Sequence, residues 1–229
     1  VGGAVSVTAG LPSGLLSAEG GQVYVAGGLG QSSSGGAIAV HSGEGASTSS
    51  GSVTVRTANA GSNGVSGRLS FSSGTSSVGN SGSVSVGTGA ATNGKSGSIR
   101  VTVGAGNTGD GGGVWLFAGE TTADNQVGGM VSIRGGVSYT TALAKGGSVE
   151  IGGAGSGHSG GAVSVLTGYG SSTSSGSLTI RTMNAGNSGV SGRLSFSSGT
   201  TSKGGSGAIV LKTGASTTGK AGALTLSIG

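Results

Sequence analysis

Two short strings in this chain have the spacing of loops that carry chemistry elsewhere. Gly104-Ala-Gly-Asn-Thr-Gly109 spells GxGxxG directly after the apolar alternation Ile99–Val103. A dinucleotide site of that pattern needs a helix next, because the helix N-terminus holds the pyrophosphate. The chain instead continues as Asp110-Gly-Gly-Gly113 and another alternating run, which provides no helix. Gly157-His-Ser-Gly-Gly161 spells GxSxG, the turn that presents a nucleophilic serine in α/β-hydrolases, again ahead of a helix and with a separate base. His41 is the only histidine besides His158, and it stands more than a hundred residues earlier. Both strings read as glycine-rich corners, and the chain is expected not to be an enzyme.

Ionic chemistry is equally sparse. The six acids are Glu19, Glu44, Asp110, Glu120, Asp124 and Glu150. They recur at no fixed register, so they form neither the Asp ladder of a calcium-binding β-roll nor a carboxylate pair for acid–base work. Eleven Lys and Arg give a formal charge of +5, yet no two are adjacent, unlike the clustered basic faces of nucleic-acid binders. With no Cys there are neither disulfides nor thiolate ligands. No metal, cofactor or nucleic acid is expected. No run approaches the roughly 18 apolar residues of a membrane span.

The elements that would have to position any site are set by a repeat. Gly-Gly or Ser-Gly, one small residue and apolar-x-apolar returns fifteen times, as GGAVSV at Gly2, SGSVTV at Ser50, SGRLSF at Ser66, GGAVSV at Gly160 and AGALTL at Ala221. Successive phrases are spaced mostly by 15 or 16 residues. Each apolar pair, such as Val53/Val55, Leu69/Phe71 or Ile99/Val101, alternates with period two and therefore shares one face of a strand. This spacing predicts an all-β fold: a glycine-rich, flattened β-solenoid (β-helix) of about fifteen coils at 15–16 residues per coil. Stacked at about 4.8 Å per coil, it would be a rod of roughly 70 Å. Ala90-Ala91-Thr92, Thr200-Thr201-Ser202 and Ala215-Ser216-Thr217 are the expected return segments of a second, closely approached sheet. Asn63, Asn93, Asn107 and Asn187 sit where corners call for the left-handed region.

A longer period overlies the first. VSGRLSFSSGT at Val65 recurs letter for letter at Val190, an offset of 125 residues, and the 18-residue spacing after Val5 recurs after Val131. The whole of 1–229 is read as one continuous solenoid segment, with an eight-coil super-repeat over 1–126 and an incomplete second copy over 127–229. The chain begins without Met and stops at Ile228-Gly229 without a polar cap, so it reads as the interior of a longer protein.

On such a rod the residues between apolar positions face outward. Their column (Ser6, Tyr24, Ala39, Thr54, Ser70 onward) is too mixed to match an ice lattice. Trp115 and Phe117 flank Leu116 and stand out as a lateral contact surface. Arg56 and Arg68 recur as Arg181 and Arg193, projecting from neighbouring coils toward solvent, an adjoining strand of an assembly or an acidic glycan. Ser47, Thr48, Ser171, Ser172, Thr173 and Ser174 lie in Ser/Thr-rich corners open to O-glycosylation. None of the eight Asn begins an N-x-Ser/Thr sequon.

The stretch GKSGSIRVTVGAGNTGDGGGVWLFAGETT over Gly94–Thr122 resembles repeats of stramenopile tubular flagellar-hair (mastigoneme) proteins, among them the sexually induced mating-stage proteins of diatoms. That family repeats blocks shaped like SGSI-x-V-x-VG-x-G-x-T/SG-x-GG-x-V in tandem through a β-solenoid, with more Asp than this chain carries. The resemblance implies a glycosylated shaft component of extracellular hairs on the flagellar or cell surface, with other copies of itself and related filament proteins as partners. The alternative reading is the repetitive stalk of a cell-surface adhesin.

Overall fold

In a computed structural model the described residues are 2–10, 19–139 and 144–228. They fall into two units, Val1–Gly113 and Val114–Gly229. The boundary at 126/127 between sequence copies lies inside the second unit. The two 18-residue spacings contain 11–18 and 140–143, which lie outside the described residues, as does Gly229.

The β-solenoid expected from the repeat is not formed. Among the described residues there is no helix and no β-strand, hence no sheet and no stacked coils. Nine backbone–backbone hydrogen bonds join described residues, whereas a folded domain makes about one hydrogen bond per residue. No described residue is buried. The accessible surface is 22848 Å² for a chain of 20.9 kDa. A folded monomer of that mass exposes about 9,000 Å² and an extended chain about 30,000 Å².

The physical reason lies in the segments expected to return. A strand with one apolar face must bury that face against another layer. The Ala, Ser and Thr segments that were to supply the second layer, 90–92, 200–202 and 215–217, form no strand and run into bends at 92–94, 202–204 and 217–219. Comparable bends or turns fall at 31–33, 46–48, 62–63, 77–79 and 107–109, and in the second unit at 123–125, 157–158, 171–173 and 187–188. The fifteen-residue period survives as a period of bends, while each apolar pair stays uncovered. Leu69 is 48% exposed and Phe71 70%, their copies Leu194 and Phe196 49% and 65%. A quarter of the chain is Gly, which loses the most conformational freedom on ordering. Two aliphatic side chains per fifteen residues do not offset that cost without a facing layer.

What order there is lies at the base of each loop, where the limbs before and after a bend pinch together. In the first unit the Gly36 N–H donates to the Gly28 carbonyl at 2.9 Å, and Gly51 to Gly43 at 2.9 Å. In the second unit Gly129 donates to Gly119, Gly147 to Gly136 and Gly161 to Ala154, each at 2.8 Å. Where one limb carries a β-branched or hydroxyl residue instead, it packs against the Gly opposite. A Cβ on Gly97 would lie 3.3 Å from the Thr88 methyl, and one on Gly192 3.3 Å from the Thr182 methyl. Thr88 Oγ1 also donates to the Gly97 carbonyl at 3.3 Å.

The left-handed region is taken up differently from expectation. Among the described residues Asn125 (φ 58°) is the one non-glycine there, so Asn63, Asn93, Asn107 and Asn187 do not use it. Their bends are closed by neighbouring residues; Gly109 (φ 72°) finishes the bend that Asn107 opens.

Candidate functional site

The two catalytic look-alikes resolve into bends. Ser156 Oγ donates to the Ser159 carbonyl at 2.9 Å and accepts the His158 backbone N–H at 3.0 Å. This closes a hydroxyl-capped turn over 156–159 with no helix after it. His41 belongs to the other unit. Gly104–Gly109 runs into the bend at 107–109 and then into irregular chain. Among the described residues no three His, Asp or Glu side chains gather where a metal ion could bind.

Trp115 and Phe117 are 75% and 86% exposed, and Leu116 between them is 69% exposed. The inward–outward distinction drawn from the alternation therefore disappears here. Val114-Trp115-Leu116-Phe117 is one uninterrupted, uncovered apolar run, where most other phrases interpose Ser, Thr or Ala.

Ser47 and Thr48 lie in the bend at 46–48, and Ser171, Ser172 and Thr173 in its counterpart at 171–173, with Ser174 next to it; all are exposed. The two bends are tight in the same way, since a Cβ on Gly45 or on Gly170 would press on the carbonyls of Thr48 and Ser49 or of Thr173 and Ser174. Hydroxyls at an exposed loop tip are open to a transferase. Peptides covering Ser171–Ser175 from native material are expected to carry added hexose mass in a mass spectrum. Finding only unmodified peptide there would dispose of the O-glycan assignment.

The structure adds Thr57, Ala58 and Asn59, which the sequence did not single out. With Arg56 they line a shallow concavity along one limb of a loop. Thr57 is the residue that pinches against Gly67: a Cβ there would lie 3.4 Å from the Thr57 methyl. Arg56 and Arg68 are thus the next residues outward on the two limbs of one loop, rather than members of separate stacked coils. Arg181 and Arg193 stand in the same relation about the Thr182–Gly192 pinch. The signal was present in the spacing, because Arg56 and Arg68 flank the turn at 62–63 at nearly equal separations along the chain. It becomes visible only when the loop is read outward from that turn. Among the described residues no helix is long and apolar enough to cross a membrane.

Compared with protein-family models, curated proteins and solved structures, the chain matches none.

Proposed function

We propose that this chain is a structural, self-associating component of an extracellular filament, with the shaft of a tubular flagellar hair as the setting its Gly94–Thr122 stretch resembles. One observation supports this reading above the others: the apolar pair of each described phrase is left uncovered in the isolated chain. A soluble monomer rarely exposes more than a few hundred Å² of contiguous apolar surface, and larger patches mark interaction sites. Here the patch is reiterated with the repeat, so a partner carrying the same repeat can cover it at every step. Association in this reading is lateral, between uncovered phrases of neighbouring copies, and needs no preformed solenoid.

Electron microscopy of native material tests the assignment. Uniform filaments with an axial periodicity related to the eight-phrase block are expected. Isolated single-chain stalks ending in a folded head would instead identify the stalk of an adhesin and overturn the filament.

A further inference from the structure

We infer that each arginine pair, Arg56/Arg68 and Arg181/Arg193, is a binding site for one sulfate or phosphate ester group of a polyanionic polysaccharide. The inference does not depend on the filament reading.

The geometry is built twice. A Cβ on Gly67 would lie 3.4 Å from the Thr57 methyl and one on Gly192 3.3 Å from the Thr182 methyl, so the limbs at both loop bases lie close. Within the loops Gly64 N–H donates to the Gly61 carbonyl and Gly189 N–H to the Gly186 carbonyl, both at 3.3 Å. A Cβ on Gly64 would lie 3.6 Å from the Ala60 methyl, and one on Gly189 the same 3.6 Å from the Ala185 methyl. Pinching the limbs together brings two guanidinium-bearing residues to the mouth of one loop, and both arginines of each pair are exposed.

The charge setting leaves each pair without a carboxylate of its own. Glu44 and Asp110 are the acids that flank Arg56 and Arg68 in the sequence, and nothing after Glu150 is acidic. Like charges on the two limbs of one loop repel, and an anion bound between them would reverse the sign of that energy. One guanidinium fork already satisfies both oxygens of a carboxylate, whereas an ester sulfate or phosphate has three free oxygens to divide between two forks. Arg56 opens onto a shallow concavity along its own limb, lined also by Thr57, Ala58 and Asn59. Two such sites 125 residues apart in one chain would engage a repeating polyanion bivalently.

The test is titration of the full chain with dextran sulfate at physiological salt, beside unsulfated carboxymethyl-dextran of equal charge density and inorganic sulfate. Replacing all four arginines by lysine keeps the net charge and removes the forks. It is expected to weaken dextran sulfate binding at least about tenfold, since charge-assisted hydrogen bonds are lost in both sites. Lys95→Gln with Lys212→Gln lowers the charge by two and is expected to change it less than about threefold. Because no side chain is buried among the described residues, loss of folding does not confuse the comparison. Inorganic sulfate should shift the Arg56 and Arg68 Nε–H resonances and compete for the polymer. Equal binding of the carboxylated polymer or of duplex DNA, or unchanged binding in the four-lysine variant, would overturn the inference and leave a diffuse basic charge as the whole effect.

Discussion

Replacing Trp115 and Phe117 together by serine is expected to raise the concentration at which the chain self-associates by at least about thirtyfold. Losing an aromatic anchor at the centre of an interface costs about 2 kcal/mol. Both rings are uncovered, and with Val114 and Leu116 they form the one described phrase that carries two aromatic side chains. Trp and Phe bring large contact area with few rotatable bonds, so their burial in a partner costs little side-chain entropy. Sedimentation velocity across a concentration series reads the effect. Tyr24→Ser with Tyr169→Ser is the comparison: those rings are as exposed, 86% and 89%, but each is the single aromatic side chain of its phrase. The comparison pair is expected to shift association less than about threefold. If the two double variants behave alike, the Trp115–Phe117 run is not the contact, and association rests on the aliphatic pairs alone.

The second large effect concerns the loop bases. Alanine at Gly27, Gly135 or Gly153 would drive its methyl into the carbonyl oxygen of Gly36, Gly147 or Gly161. The limbs must then part, and the Gly36→Gly28, Gly147→Gly136 and Gly161→Ala154 hydrogen bonds (2.9, 2.8 and 2.8 Å) open with them. Amide exchange at Gly36, Gly147 and Gly161 is the direct measurement. Each bond contributes about 0.5–1.5 kcal/mol, so exchange is expected to accelerate by roughly two- to tenfold in the matching variant. Gly28→Ala serves as the control in the same loop, because a Cβ there meets nothing within 4 Å and the accepting carbonyl is retained. Accelerated exchange in both variants would mean that added bulk anywhere opens the loop. No change in either would mean that the pinch does not persist in solution.

Features of different legibility underlie these two effects. The period of the phrases, and with it the spacing of the bends, could be read directly. Gly, Ser, Asn and Thr cluster every fifteen or so residues, and turn chemistry is local to a few residues. That Gly104–Gly109 and Gly157–Gly161 end in bends with no helix after them was legible for the same reason. The pairing of Arg56 with Arg68 was not legible, because two residues twelve apart become neighbours only when a loop closes between them. Nor was the exposure of Leu116: alternation assigns it the inner face, and an inner face exists only where another layer covers it.

The amino-acid sequence alone therefore determined the local terms: where the chain bends, which side chains alternate, and where charge and glycine fall. It also determined the duplication, with VSGRLSFSSGT intact at Val65 and Val190. Whether Val53/Val55 or Leu69/Phe71 would have anything to pack against was decided only in three dimensions. Alternation is a property of one segment, whereas burial requires a second segment of matching shape and sufficient apolar surface. The Ala, Ser and Thr residues of 90–92 and 215–217 supply little of that surface. Those segments run into bends, the loop bases close on glycine, and the apolar pairs remain open to whatever the chain next meets.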